Sequence, residues 1–259
     1  MGKVGIEDRL DKCKEKACYF SLRVGGLYDS RVGSSSDGAS DESDTALMAR
    51  FSAGYQFPIE GSMGLRVDYT GYADSHRDYD RYNIMEHTLA LEPQYSKGQF
   101  VFGIPLSLGM VDEDSDLDSV RQSVTPTITW MIPGAPHALA VYGSLARLED
   151  RDNDALDEDG TILGVGLSYL RVFNKKTRLR LSVDYASTEY DALVKSYSSG
   201  GNSAAKREDK ILSAGIDVQY MINSWFGLFT GLTYIRSSSN VDSYDYNRNL
   251  VEAGIVIRN

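Results

Sequence analysis

The side chains that most often carry chemistry in proteins are scarce in this sequence. The candidates are His76, His87, His137, Cys13 and Cys18. Nucleophilic catalysis needs a base beside the nucleophile, and only His76, close in sequence to Asp74 and Asp78, could imitate an acid–base pair. One histidine in an acid-rich loop is a weak signal. We therefore expect no catalytic residues and no enzymatic activity.

Metal and redox motifs are also missing. Cys13 and Cys18 are spaced C-x4-C, which matches no zinc or redox motif, so they could form a disulfide or remain two free thiols. The acidic run at 150–160 begins like a calcium loop, but it has Ala155 where the EF-hand needs glycine and Thr161 where it needs glutamate. We expect no bound metal and no cofactor.

The charge balance excludes one class of partner. The net charge is -10, and binding to phosphate backbones requires a basic face. Nucleic acid is therefore not an expected ligand. Most of the 37 acidic residues fall in long polar stretches between apolar segments, and no apolar run is long enough for a transmembrane helix.

Strict alternation of apolar and polar residues dominates the final segment, 244–259. One face carries Val251, Ala253, Ile255 and Ile257. The other face carries Arg248, Glu252, Gly254 and Arg258. Period-two alternation is typical of a strand with one apolar and one polar face. The pattern recurs about a dozen times in segments of roughly ten residues, which is typical of a transmembrane β-barrel with lipid outside and water inside.

The sequence thus predicts an all-β protein, a transmembrane antiparallel up-and-down β-barrel of about twelve strands. The predicted strands are 18–29, 45–57, 62–73, 85–96, 99–111, 119–132, 137–148, 161–173, 177–188, 210–222, 225–236 and the final segment. Strand 137–148 is the weakest prediction because both of its faces are small or apolar. The connections alternate between short turns, expected in the periplasm, and long polar loops, expected outside the cell.

The barrel is assigned to 18–259, and 1–17 is assigned to an N-terminal periplasmic segment. That segment is charged and could be a short amphipathic helix or a frayed tail. The chain opens Met-Gly-Lys without an apolar signal region, although a barrel of this kind must be exported. We expect a signal peptide, with or without an upstream domain, to have been removed or not included.

A large soluble β-sandwich is the competing fold. Its strands would present Val, Ile and Leu to the interior between the two sheets. Here the second face carries charged residues and glycine in nearly every predicted strand, so the barrel is favoured.

Charges on the second face must point into the barrel, since a charge facing hydrocarbon costs about 2–4 kcal/mol at mid-depth. The predicted lumen-lining residues are Arg23, Arg50, Arg66, Asp68, Glu92, Arg121, Arg178, Arg180, Asp184, Asp217 and Glu252. Two interpretations remain open. The arginines could line a water-filled path that favours anions, or the acids could neutralise them and brace a nearly plugged barrel. Small inward residues such as Gly54, Gly166 and Gly215 leave room for water.

Three short stretches resemble a known group of barrels. These are 27–30 (Leu-Tyr-Asp-Ser), 137–139 (His-Ala-Leu) and 244–251 (Tyr-Asp-Tyr-Asn-Arg-Asn-Leu-Val). They resemble the C-terminal barrel of outer-membrane proteins with tetratricopeptide repeats upstream, of which the surface lipoprotein assembly modifiers are the best-named relatives. The resemblance implies an outer-membrane barrel that moves a macromolecule to the cell surface. The repeats are absent here, and the chain ends in Asn259 where the family usually has an aromatic residue.

Two functions follow as hypotheses. The first is a porin-like outer-membrane channel of a Gram-negative bacterium, passing small hydrophilic solutes and favouring anions. The second is the barrel of a secretion or surface-display system for lipoprotein or polysaccharide. The expected partners are outer-membrane lipid and lipopolysaccharide, small solutes and, in the second case, a periplasmic or secreted protein.

Overall fold

A computed structural model shows that the protein is an antiparallel β-barrel of twelve strands. The structure describes residues 18–32, 42–59, 61–113, 116–151, 159–174, 176–198, 201–241 and 244–259. The predicted N-terminal segment 1–17 lies outside these ranges. Among the described residues there is no helix that is both long enough and apolar enough to cross a membrane.

Fourteen ladder segments make up the twelve strands. They are β1 (Cys18–Asp29), β2 (Asp44–Pro58), β3 (Met63–His76), β4 (Ile84–Lys97), β5 (Phe100–Gly103), β6 (Leu106–Glu113), β7 (Asp116–Val124), β8 (Thr127–Met131), β9 (His137–Asp150), β10 (Gly160–Val172), β11 (Thr177–Ser198), β12 (Gly201–Met221), β13 (Phe226–Ser239) and β14 (Tyr246–Arg258). A short 3-10 helix, Asp80–Tyr82, lies between β3 and β4.

Two prolines explain why fourteen segments form twelve strands. β5 and β6 are one strand interrupted at Pro105, and β7 and β8 are one strand interrupted at Pro126. Proline has no N–H group and cannot donate to the ladder. Pairing resumes at once, because the N–H of Thr125 donates to Pro105 O at 2.9 Å and that of Gly143 donates to Pro126 O at 3.1 Å.

The sheet closes on itself where β1 pairs with β14. Arg23 faces Val256 and Gly25 faces Gly254 across this seam. The closure also joins the start of β1 to the residue that follows β14, since the Asn259 side chain accepts a hydrogen bond from the N–H of Phe20 at 2.9 Å. Every strand therefore has two paired neighbours, and no sheet edge is left exposed to lipid.

The two ends of the barrel differ. We call the end where β1 begins and β14 ends the terminal end, and the opposite end the loop end. Terminal-end turns span five residues or fewer between strands, and Gly61, Gly98 and Gly134 there have φ of 79°, 61° and 71°. Such left-handed conformations suit glycine because it has no Cβ. The alternation of short turns with loop-end connections, most of which are longer, confirms the predicted topology.

Two predicted loops are wrong. Residues 112–118 and 189–209 were expected to be long polar loops, but β6 and β7 are separated only by 114–115, and β11 and β12 only by 199–200. The β11–β12 ladder continues from Leu193, opposite Lys206, to Ser198, opposite Gly201, after an irregularity that follows Glu189. This hairpin stands beyond the ladder that β10 forms with β11. The sequence of this stretch is rich in serine, glycine and charged residues and does not alternate between apolar and polar residues, so it gave no strand signal.

The base of this hairpin is fastened to the neighbouring connection. The guanidinium of Arg207 lies 3.7 Å from the ring centre of Tyr190 and 4.0 Å from that of Tyr244, and its Nε donates to Asp209 at 3.0 Å. Cation–π contacts of this kind gain strength when water is excluded. Tyr244 precedes β14, so the contact ties the β11–β12 hairpin to the connection between β13 and β14.

The outer face of the barrel is apolar and exposed. Leu163 and Val165 are each 60% exposed although both are surrounded by other strands. Aromatic residues border this face at the terminal end, including Trp130 and Trp225, and at the loop end, including Tyr234. From Trp225 to Tyr234 the strand covers about 30 Å, or roughly 23 Å after a tilt of about 40°, close to the apolar band of membrane barrels.

Candidate functional site

The lumen is the candidate site, and the strand register determines which side chains face it. Directly paired residues point to the same face of a sheet, so the outward Leu22–Phe51 pair places the neighbouring Arg23–Arg50 pair inside. Following the pairs around the ring places all eleven predicted side chains on the inner face. They are Arg23, Arg50, Arg66, Asp68, Glu92, Arg121, Arg178, Arg180, Asp184, Asp217 and Glu252.

Arg23 sits at the centre of one ion-pair network. Its Nη1 and Nη2 lie 2.8 and 3.0 Å from the two carboxylate oxygens of Asp217, and Glu252 lies 3.9 Å away. The same guanidinium lies 4.9 Å from the ring centre of Phe229. Arg23 is on β1 and Asp217 on β12, and β13 and β14 lie between them. The pair therefore bridges strands that are not neighbours, and it neutralises this arginine.

Arg66 forms a second network on β3 and β4. Its Nη2 lies 2.9 Å from Glu92, and its Nε donates to Asp68. Asp68 also accepts a hydrogen bond from the hydroxyl of Tyr19. One arginine thus serves two carboxylates here, and this wall of the lumen is slightly acidic.

The remaining charged residues nearer the loop end are mostly paired as well. Arg121 lies 3.4 Å from Glu86, and the Nε of Arg248 lies 2.9 Å from Asp29. Arg50 stacks on the ring of Tyr72 at 5.1 Å instead of meeting an acid.

Asp184 meets no arginine in the contacts of the described residues. Its carboxylate accepts a hydrogen bond from the hydroxyl of Tyr142, which reaches it over Gly166 of the intervening strand β10. The sequence analysis did not foresee this contact with Tyr142.

Three arginines near the terminal end have no acid partner. Arg178 donates to the side-chain amide of Gln219, and Arg180 donates to Ser168 Oγ at 3.1 Å. Arg258 faces the lumen opposite Ser21. Within the described part of the chain, no carboxylate oxygen lies within 4.0 Å of any of these three guanidinium groups. Positive charge is therefore concentrated at this end.

Three cavities lie along the barrel axis. The terminal chamber, about 470 Å³, is lined by Arg23, Arg66, Arg178, Arg180 and Asp217. The middle chamber, about 400 Å³, is lined by Arg23, Arg50, Arg180, Asp217, Thr233 and Glu252. The loop-end chamber, about 500 Å³, is lined by Arg50, Tyr72, Asp74, Glu86, Thr233, Arg248 and Glu252. Each chamber shares lining residues with the next, so the three are contiguous. A depression of about 850 Å³ on the wall is lined by exposed leucines such as Leu89 and Leu145 and is separate from this series.

His76 is not in an external loop, as the sequence suggested. It is the last residue of β3, faces the interior, and its side chain is 2% exposed. Its Nδ1 lies 3.4 Å from Asp44 and its Nε2 lies 3.9 Å from Asp74. The difference arises because β3 continues past residue 73, the predicted end of the strand, to the buried residue His76. The histidine braces the loop end of the wall and is closed to solvent.

The predicted cysteine pair falls partly outside the described residues. Cys18 is exposed at the start of β1, and Cys13 lies outside the described ranges. The disulfide stays a prediction. Residues 152–158 of the acidic run also lie outside them.

Sequence reasoning missed several inward side chains. Asp74 and Glu86 line the loop-end chamber. Asp74 follows Asp68 at even spacing and lies one residue beyond the predicted strand 62–73, so a small extension of that strand would have found it. Glu86 lies inside the predicted strand 85–96 and precedes Glu92 at even spacing, so the alternation alone could have found it. Buried apolar residues that face inward, such as Met48 and Phe229, interrupt the pattern and had no sequence signal.

Ion pairs also cover the outer wall beyond the apolar face. Arg147 lies 2.6 Å from Asp191, and Lys206 lies 3.2 Å from Glu189. The hydrogen bond from Arg147 lowers the pKa of the Asp191 carboxyl below its usual value. These pairs are exposed to solvent, where ion pairs contribute little to stability.

The chain shares its fold with solved outer-membrane channels. An outer-membrane channel from Pseudomonas putida F1 matches with a TM-score of 0.59 at 11% identity, over 94% of this chain and 96% of the other. The NanC porin matches with a TM-score of 0.55 at 9% identity, over 91% of this chain and 98% of the other. A family model described as "Putative beta-barrel porin 2" matches residues 190–259. No curated protein matches the sequence.

The closed barrel, the exposed apolar face with its aromatic borders and these structural matches agree with one another. The chain has the fold of a porin-like β-barrel and lies in the bacterial outer membrane.

Proposed function

We propose that the chain is a passive channel for small hydrophilic solutes, with a preference for anions. The terminal end faces the periplasm and the loop end faces the outside of the cell, as short turns and long connections do in barrels of this class. The apolar outer face contacts outer-membrane lipid, and lipopolysaccharide covers the wall on its outer-leaflet side.

One observation carries this proposal, namely the contiguous series of chambers. Arg23, Arg180 and Asp217 line both the terminal and the middle chamber, while Thr233 and Glu252 line both the middle and the loop-end chamber. Polar and charged groups line the series, which suits water and hydrated solutes. The unpaired arginines at one end favour anions over cations.

Single-channel recording in planar bilayers tests the proposal. The refolded chain is expected to give discrete conductance steps, and a KCl gradient is expected to give a zero-current potential of the sign that indicates anion preference. A barrel that inserts but shows no steps above the bilayer baseline would remove the proposal.

A matched pair of variants connects the conductance to the chambers. Thr233 points into the lumen between two chambers, whereas Thr230 on the same strand is exposed on the outer face. Thr233→Trp is expected to reduce the conductance at least about twofold, because an indole fills much of a chamber of this size. Thr230→Trp is expected to conduct like the parent. Equal conductance in all three proteins would place the ion path elsewhere.

The role in secretion or surface display is the second hypothesis. It rests on the resemblance to barrels with upstream tetratricopeptide repeats, and it involves a periplasmic or secreted protein partner. Repeats encoded directly upstream, a partner recovered by crosslinking and a closed pore would together favour it over the channel. We expect no enzymatic activity in either case.

A further inference from the structure

We propose that the terminal chamber contains a binding site for oxyanions with two or more negative charges, formed by Arg178 and Arg180, which line the chamber, and by Arg258, an inward-facing residue at the same end of the barrel. This inference rests on the proposed channel, because it locates the anion preference at one end of the lumen. The ligand is defined by chemistry as a compact solute that carries several carboxylate or phosphate oxygens.

Some of the positive charge in the terminal chamber is not paired with carboxylates of the chain. Arg23 is held by Asp217 in a two-contact ion pair, and Arg66 is held by Glu92 and Asp68. Arg178, Arg180 and Arg258 lack such partners among the described residues, as shown above. The chamber therefore carries an excess of positive charge that its own acids do not neutralise.

The arginine side chains at this end of the lumen also repel one another. Arg178 is close enough to Arg258, Arg23 and Arg180 for their charges to repel it, and this repulsion exceeds the attraction by Asp217. Like charges held together raise the free energy of the empty site, and a bound anion lowers it again. A polyvalent anion gains most, because it can interact with more than one guanidinium.

The side chain of Arg178 is held in a fixed orientation before any anion binds. Arg178 donates to Gln219, a neutral side chain that is 1% exposed, and the amide of Gln219 in turn donates to the sulfur of Met221 at 3.1 Å. A buried amide can orient an arginine without cancelling its charge. Guanidinium groups fixed in this way present planar pairs of N–H donors that match carboxylate and phosphate oxygens.

The position of the site gives it a direction. Arg178 and Arg180 are the second and fourth residues of β11, and Arg258 is the last residue of β14. All three are at the terminal end, whereas the loop-end chamber contains Asp74, Glu86 and Glu252. The lumen is thus basic towards the periplasm and more acidic towards the outside.

Isothermal titration calorimetry on the refolded full chain in a neutral detergent at low salt tests the proposal. Citrate and pyrophosphate are the two probes, and acetate is the monovalent comparison. At least one probe is expected to bind more tightly than acetate, and the tighter of the two indicates whether carboxylate or phosphate is preferred. Failure of both probes to bind the parent protein would overturn the proposal.

Variants then locate the site. The double substitution Arg178→Gln with Arg180→Gln is expected to raise the Kd of the bound probe at least about tenfold, as expected for the loss of charge-assisted hydrogen bonds. Arg121→Gln removes another lumen arginine, one that is paired with Glu86 outside the terminal chamber. It is expected to change the Kd by no more than about twofold.

Two results contradict the assignment to this chamber. One is an unchanged Kd in the double variant, and the other is an equal loss of affinity in Arg121→Gln, which would indicate a potential spread over the whole lumen. Gel mobility before and after heating checks that each variant is folded. Because calorimetry needs no ion flow, a barrel that binds the probe but does not conduct would remove the channel and keep the site. A barrel that conducts but binds neither probe would remove the site alone.

Discussion

At the scale of single residues, the inward arginines fall into three environments. Arg23 and Arg66 are paired with carboxylates, Arg50 stacks on Tyr72, and Arg178 is held by a neutral amide. The same residue type therefore braces the wall in one place and offers free positive charge in another. The barrel therefore combines both interpretations of the lumen, with some arginines neutralised by acids that brace the wall and others that keep their positive charge.

Asp217→Asn tests the bracing role at this scale. The substitution leaves Arg23 without its two-contact partner, so we expect a loss of about 1–3 kcal/mol in the free energy of unfolding. It also removes a lumen acid and is expected to shift the zero-current potential further towards anions. Urea unfolding from lipid vesicles and bilayer recordings measure the two effects.

The control for that experiment is Asp191→Asn, which breaks the exposed pair with Arg147 outside the lumen. Stability and selectivity are both expected to stay near those of the parent. Because the pKa of Asp191 is lowered in the folded protein, any stability from this pair is present above its unfolded pKa and lost as pH falls through the folded value. A selectivity change as large as that of Asp217→Asn would show that the effect does not arise in the lumen.

At the scale of elements, closure of the barrel depends on how closely β1 and β14 approach. Gly25 and Gly254 face each other on the inner side of this seam. A Cβ on Gly25 would lie 2.2 Å from the carbonyl oxygen of Ala253, and one on Gly254 would lie 2.2 Å from that of Val24. Backbone atoms cannot give way as a flexible side chain can, so this seam requires glycine.

Gly25→Ala is expected to destabilise the barrel by about 1–3 kcal/mol, because a clash in a packed site forces backbone shifts. The adjacent Gly26 faces outward, and a Cβ there meets no atom within 4 Å. Gly26→Ala is therefore the matched control and is expected to be close to neutral. Comparable urea midpoints for the two variants would show that the seam tolerates a wider spacing.

At the scale of the whole molecule, the barrel reverses the usual arrangement of a soluble protein. The apolar side chains of its outer face are exposed, whereas many of its charged side chains face the lumen. Only a hydrocarbon environment makes this arrangement stable, because the exposed apolar face would otherwise drive association in water. Backbone pairing around a closed ring meets the second requirement of that environment.

Ile216→Arg tests this arrangement. Ile216 is 48% exposed on the outer face and is the central residue of the outward apolar run from Leu212 to Tyr220, so a charge there is expected to cost about 2–4 kcal/mol in lipid. Ser213→Arg, on the same strand but facing the lumen opposite Asp184, is expected to cost far less. Urea unfolding from vesicles compares them, and equal losses would contradict the assignment of the two faces.

The sequence by itself determined the wall of this barrel. Alternation requires only that each strand separates lipid from water. That condition acts locally, on each strand residue between Leu22 and Ile257. It was sufficient for twelve strands, for the inward direction of Arg23 or Asp217, and for the short turns. It was insufficient for the outer part of the β11–β12 hairpin, where the sequence does not alternate between apolar and polar residues.

Only the tertiary structure decided which inward charges meet. Arg23 reaches Asp217, 194 residues away and on a strand that is not its neighbour. Such partners depend on the tilt and stagger of the closed ring, which no local pattern encodes. The same geometry left Arg178, Arg180 and Arg258 without a carboxylate oxygen within 4.0 Å among the described residues. The terminal end of the lumen is therefore more basic than the loop end.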